Sequence, residues 1–235
     1  MPTLERHAAP LRQQVLSLLR EEILSGRRSP GERLRETDLC GSYGVSRTVV
    51  REVLRQLESE SLITVLPGHG PIVSVLSRRD IESLYEVRAT LEGLAGELFA
   101  ERASDETAAE LIAHFAAMED SYLRGDLASR GESKARFYEV LLTGADNDVL
   151  SSSLAGVHTR IGLFRRYAFV DDQRVALSYS EHRRIVTAAA VDRDPVAARD
   201  ACEDHIKLAG ELAVMEYTRR VDADGVLVHP HEVVL

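Results

Sequence analysis

"YGVSRTVVREVLRQLE", residues 43–58, opens with a glycine and small polar residues, then sets valines and leucines three and four apart and arginines every four. At about 100° per residue, Val49, Val50, Val53, Leu54 and Leu57 gather on one side of a helix, and Arg47, Thr48, Arg51 and Arg55 on the other. The apolar side needs something to pack on. The guanidinium side has the shape of a helix that enters a DNA major groove. An arginine stripe opposite an apolar face is, on an isolated helix, most often a solvated surface, so the flanking sequence decides between the two.

Upstream, residues 10–25 place Leu11, Val15, Leu18, Leu19 and Ile23 on one helical face, and Gly26 ends that helix. "SPGERL" (29–34) reads as a turn and 36–42 as a short helix broken by Gly44, after which Ser46 can cap a helix over 47–60. Downstream, "SLITVL" (61–66) and "PIVSVL" (71–76) are rich in β-branched residues and separated by "PGHG" (67–70), which is a hairpin signal. Three helices followed by a hairpin make a winged helix-turn-helix. In that setting arginine's fork matches guanine O6 and N7, and equally serves phosphate oxygens. Ser46 and Thr48, at the start of the helix, are placed to touch phosphates, as is the helix N-terminus itself. Gly68 and Gly70 allow the wing tip to approach the minor groove, with His69 as the probing side chain.

The charge distribution agrees with this reading. The chain of 235 residues carries a formal net charge of −9, which taken whole argues against a nucleic-acid partner. Residues 1–79 nevertheless sum to +3 and the remainder to −12, so a basic front and an acidic back meet different partners. Only Lys134 and Lys207 are lysines, so part of the arginine signal is compositional habit. No apolar run approaches the length of a membrane span, and no signal peptide opens the chain, so the expected location is the cytoplasm. Cys40 and Cys202 lack metal-type spacing and read as free thiols.

From Asp80 onward strand signals are missing until the C-terminal tail. Helices are expected at about 80–101, 105–123, 127–144, 147–168, 176–191 and 195–218, the last opened by Asp194-Pro195. The expected fold is mainly α: an N-terminal winged helix-turn-helix (1–76), a hinge (77–80), an antiparallel bundle of six to seven helices (81–218), and a polar tail (219–235) expected to be partly mobile.

The stretch "PGERLRETDLCGSYGVSRTVVREVLRQLESESLITVLPGHGPIV" (30–73) resembles the N-terminal domain of GntR-type bacterial transcription regulators. The resemblance implies that Arg47, Thr48 and Arg51 contact an operator, assisted by Arg35, Ser46, Gly68, His69 and Gly70. Val49 stands where many members have proline and Ser61 where many have glycine. "LYEVRATLEGLAGELFAERA" (84–103) and "SEHRRIVTAAAVDRDPVAARDACEDHI" (180–206) are similar to the FadR-like branch with its FCD effector domain. That likeness implies a dimerising helical domain that binds a small effector, often beside a divalent metal.

Within the bundle, His182 lies on a stripe with Ile185, Val186 and Ala189, His205 on one with Ala201, Leu208 and Leu212, and Arg88 on one with Leu84, Leu91 and Ala95. Three inward polar residues on separate helices point to one polar pocket. In "ESKARFYEVL" (132–141) the family's first two metal positions fall on Lys134 and Tyr138. An ammonium repels a cation, so the expected effector site is Arg88, Lys134, Tyr138, His182 and His205 acting as a cationic cup for a carboxylate. No cofactor is then required; if a divalent metal such as zinc or nickel does bind, His182 and His205 are its ligands.

The expected protein is a ligand-responsive, homodimeric transcription regulator: a repressor on a palindromic operator, released by a small organic acid. The alternatives are a metal-dependent enzyme built on the bundle with a DNA-binding appendage, and an architectural DNA-binding protein without a ligand. The chain lacks a paired-carboxylate spacing, a nucleophile elbow or an HExxH helix that would favour the enzyme.

Overall fold

The computed structural model describes residues 8–165 and 172–220. It separates into two compact units divided between Ser77 and Arg78, with the segment from His158 to the end of its helix grouped with the first unit.

The first unit contains helices α1 (Ala8–Leu24), α2 (Glu36–Tyr43) and α3 (Arg47–Ser59) and the antiparallel strands β1 (Ile63–Leu66) and β2 (Gly70–Val73). The chain passes from α2 to α3 through Gly44, whose left-handed backbone (φ 64°) ends α2. The Ser46 hydroxyl then accepts from the Val49 N–H at 3.4 Å and starts α3. Val50, Val53, Leu54 and Leu57 of α3 are buried with Val15, Leu16, Leu19 and Ile23 of α1 and with Leu34, Leu39 and Leu62. On α1 the buried stripe differs from expectation. Leu16 joins it, while Leu11 and Leu18 remain 43% and 48% exposed, because the packed face is rotated by part of a turn.

α3 ends in a Schellman pattern. Leu62 N–H donates to Leu57 C=O and Ser61 N–H to Glu58 C=O, with Ser61 in the left-handed region at φ 59°. That turn delays the first strand to Ile63 and makes the hairpin shorter than its β-branched runs suggest. The register runs from Ile63 opposite Val73 to Leu66 opposite Gly70. A third short segment adds to β2: Arg33 bridges Ile72, and Leu34 N–H donates to Pro71 C=O at 2.9 Å. Arg20 of α1 grips Glu60 just past α3 through two bonds of 2.9 and 2.7 Å.

The second unit is built from α4 (Arg78–Arg102), α5 (Asp105–Met118), α6 (Leu127–Ala145), α7 (Asp148–Arg165), α8 (Asp172–Val186) and α9 (Pro195–Arg220), the end of α7 excepted. One π-helical turn, Glu119–Leu123, extends α5, and another, Thr187–Val191, extends α8. Among the described residues the fold is mainly helical, with six helices after Ser77. Ser104, Asp126 and Asp194 cap α5, α6 and α9 by accepting backbone N–H groups. α4 and α9 lie close enough that a Cβ on Gly96 would fall 2.7 Å from Cys202 Sγ, and one on Gly210 would fall 2.9 Å from Tyr85 Cβ. Phe99, Leu111, Met118, Tyr122, Phe137, Leu141 and Leu154 form the centre of one apolar core. The expected end of the α7 helix (166–168) and most of the tail (221–235) lie outside the described residues.

Candidate functional site

Among the described residues, two places carry concentrated polar chemistry, one in each unit. In the first, Arg47, Thr48, Arg51 and Arg55 all stand exposed on α3, opposite the buried valines and leucines. Ser46 heads the helix and is also exposed. Arg35, the residue before α2, is exposed, as are Gly68 and His69 at the wing tip, while Gly70 is half-buried. Gly68 and Gly70 both have positive φ (72° and 88°), which a side-chain-bearing residue reaches only with strain. One residue that periodicity does not reveal belongs to this face. Glu36 of α2 places both carboxylate oxygens 3.0 Å from Arg51 Nε. The two residues lie on different helices, so no helical spacing relates them.

In the second unit Arg88, Lys134, Tyr138, His182 and His205 come together from α4, α6, α8 and α9, and all are buried. The Arg88 guanidinium sits 5.7 Å from the Tyr138 ring centroid and donates to its hydroxyl at 3.4 Å. Lys134 Nζ lies 6.0 Å from the same ring, and the two imidazole centroids are 4.6 Å apart. Three more ionisable groups join the cluster. Glu92 accepts from Arg88 Nε at 2.5 Å. Glu181 accepts from His205 Nδ1 at 2.5 Å and from both terminal nitrogens of Arg174, at 2.9 and 3.1 Å. Glu92 is one helical turn from Arg88, a spacing visible in sequence. Glu181 and Arg174 carry no comparable signal, because Glu181 meets His205 across 24 residues.

The hydrogen bonds fix the proton on each imidazole. His182 Nδ1 lies 2.6 Å from the Ser178 carbonyl, which only accepts, and His205 Nδ1 faces a carboxylate, so both Nδ1 atoms donate. The Ser178 hydroxyl is in turn held by Tyr122 at 2.8 Å. Each Nε2 is therefore a lone-pair acceptor, and both are buried with no hydrogen-bond partner among the described residues. Burial, then His205 and Lys134, push His182 well below the usual imidazole range; burial and then Lys134 do the same to His205. The expectation that the histidines add positive charge to a cationic cup is thus corrected: they are neutral acceptors, and the basic side chains beside them are Arg88 and Lys134. Burial and Glu92 raise the Tyr138 phenol, which stays protonated.

Neutral imidazoles with anchored Nδ1 and open Nε2 are what a metal site presents, but the remaining donors do not suit a metal. Glu92 is engaged by Arg88, and Glu181 by His205 and Arg174. Among the described residues no group of three or more His, Cys, Asp or Glu is placed to hold a metal ion. Two nitrogens fall short of the three or four protein ligands a zinc site uses.

Comparison with known proteins bears on both places. Residues 11–73 match the family model described as bacterial regulatory proteins, gntR family, and residues 82–208 match the FCD domain. The HTH-type transcriptional regulator YdhC of Bacillus subtilis is 31% identical over 177 residues, covering 75% of this chain and 79% of its own. The HTH-type transcriptional repressor GlaR of Escherichia coli is 25% identical over 204 residues, 80% of this chain and 89% of its own. Among solved structures, Escherichia coli McbR/YncC superposes with a TM-score of 0.72 at 21% identity, covering 88% of this chain and 98% of that one, which is a likeness of fold. The matched families and named relatives are transcription regulators, not enzymes.

Proposed function

The chain belongs to the gntR family of bacterial regulatory proteins, in the branch that carries an FCD domain, and on that premise we propose that it is a repressor which a small carboxylate releases from DNA. It is a DNA-binding transcription regulator. The finer reading has it bind as a homodimer to a palindromic operator, placing two α3 helices in successive major grooves roughly 34–36 Å apart. Arg47, Thr48 and Arg51 meet base edges and phosphates, with Arg35, Ser46 and the wing residues Gly68, His69 and Gly70 in support. The exposure of those side chains on the face opposite the core carries this reading. The name of GlaR as a repressor supports the sign of regulation. No described helix is long and apolar enough to cross a membrane.

The effector reading rests on one observation: two buried Nε2 atoms with no partner among the described residues share a cluster with the basic side chains of Arg88 and Lys134. The carboxylate of the effector meets Arg88, Lys134 and the Tyr138 hydroxyl, and the imidazole nitrogens accept from its other polar groups. A resident metal is not required. An effector biases the bundle, and through the hinge near Ser77 the spacing of the DNA-binding helices.

The experiment is a thermal-shift survey of organic acids on the full chain, followed by titration of each stabilising acid into the operator complex. A stabilising acid that dissociates the complex is the expected result. An acid that stabilises the protein and leaves operator affinity unchanged defeats the regulatory reading. Dialysis against a chelator should leave the melting temperature and the acid response unchanged; a chelator-sensitive response defeats the metal-free reading.

A further inference from the structure

Glu36 is the first residue of α2, where a carboxylate suits the positive end of the helix. Its side chain does something further by reaching α3 and holding Arg51. As a stabilising ion pair this contact is worth little, because the Arg51 side chain is 58% exposed and water screens it. It also has a cost. A carboxylate on a surface that meets a phosphate backbone opposes binding, since affinity for duplex DNA comes largely from neutralising phosphates. A negative charge at this place therefore needs a return that outweighs repulsion.

The geometry of the contact supplies one. Both oxygens of Glu36 face Arg51 Nε at 3.0 Å, and among the described residues neither terminal nitrogen of Arg51 has a hydrogen-bond partner. The guanidinium is planar, so a carboxylate on the Nε edge restricts the direction in which the Nη1 and Nη2 groups project. Those two groups form the edge that fits guanine O6 and N7 as a pair. Arginine otherwise loses considerable rotamer freedom when it is ordered at an interface. Glu36 orders it beforehand.

We propose that Glu36 is a positioning residue for sequence readout: its carboxylate holds Arg51 by Nε so that the open Nη edge meets one base pair of each operator half-site. Glu36 thereby trades general affinity for discrimination. The inference rests on Arg51 facing the operator, and the test separates the two.

The duplex preferred by the full-length protein is first selected from randomised DNA. Affinities of wild type, Glu36→Gln, Arg51→Ala and the double variant are then measured at one salt concentration. The probes are that duplex, each of its single-base variants and an unrelated duplex. Glu36→Gln is nearly isosteric at a half-exposed position, so it keeps the fold. Arg51→Ala should erase preference at one base pair per half-site. Glu36→Gln should bind the unrelated duplex at least as tightly as wild type, yet lose about fivefold or more of the discrimination at that same base pair. In the Arg51→Ala background it should change nothing further there.

If Arg51→Ala erases a preference that Glu36→Gln leaves intact, the positioning role is overturned while the DNA face stands. If Arg51→Ala keeps every preference, the assignment of the DNA face falls and the inference falls with it. If Glu36→Gln loses preference at another base pair, with or without Arg51, then Glu36 reads a base directly and the positioning role is overturned.

Discussion

His205 Nδ1 lies 2.5 Å from Glu181 Oε2, and because a carboxylate only accepts, this contact leaves the Nε2 of His205 as an open lone pair inside the bundle. The Ser178 carbonyl does the same to His182 from one turn back on α8. The electrostatic character of the cluster follows from these two anchors. It holds neutral acceptors on the imidazole side and the permanently charged Arg88 guanidinium opposite, with the Lys134 amine beside them.

Stability should depend on pH through these rings. Both are held well below the ordinary value of 6.5, first by burial, so in the folded state they remain neutral. The unfolded chain takes up the protons first. Stability is therefore complete above about pH 6.5 and is lost as pH falls below it, by up to ~1.4 kcal/mol per pH unit for each ring. Urea denaturation at a few values between about pH 7.5 and 5.5 measures the slope. His205→Gln should flatten it; an unchanged slope in that variant would place the titration elsewhere.

Arg88 and Glu92 form a pair at 2.5 Å with both side chains almost wholly buried. Removing one partner strands the other's charge, so Arg88→Met should destabilise the protein by about 3–5 kcal/mol. The double variant Arg88→Met, Glu92→Leu should recover most of that loss, because it leaves no buried charge behind. Chemical denaturation of the two variants gives the comparison. Equal losses would mean that the pair is not the relevant unit.

Ser61 holds φ at 59° to close α3. A left-handed backbone costs an ordinary residue roughly 1–2 kcal/mol, while glycine's extra freedom in the unfolded chain takes back about 0.5–1 kcal/mol. Ser61→Gly should thus stabilise the first unit by up to ~1 kcal/mol, read as a small rise in its denaturation midpoint.

Gly144 on α6 packs against Phe99 of α4, and a methyl at this position would land on the Phe99 ring. Phe99 is fully buried and its neighbours fill the core, so the ring has no space into which to retreat. Gly144→Ala should cost about 1–3 kcal/mol in a thermal or chemical melt despite adding only one methyl.

Particular elements show how far the chain could be read without coordinates. Valines and leucines at 49–57, the Gly44–Ser46 punctuation and the glycine-tipped hairpin identified the winged helix-turn-helix, and each lies where it was expected within a few residues. The long helices after Arg78 were equally legible, with Asp194-Pro195 marking the start of the last. Less legible were features with no local period. The rotation of α1 that buries Leu16 and exposes Leu18 depends on what α1 packs against. The Arg33–Ile72 bridge joins residues far apart in the chain. The π-helical turns at Glu119–Leu123 and Thr187–Val191 extend helices that periodicity reads as uniform.

Residue order alone was enough for the architecture, the guanidinium face of α3 and the inward direction of Arg88, His182 and His205, because each of these follows from spacing along one helix. What those groups are chemically emerged from how the helices pack. Glu36 against Arg51, Glu181 against His205 and the Ser178 carbonyl against His182 set which edges stay open and which nitrogens carry protons. Charge and tautomer are settled by burial and by the partner at hydrogen-bond distance, and two of these three partners come from a different helix.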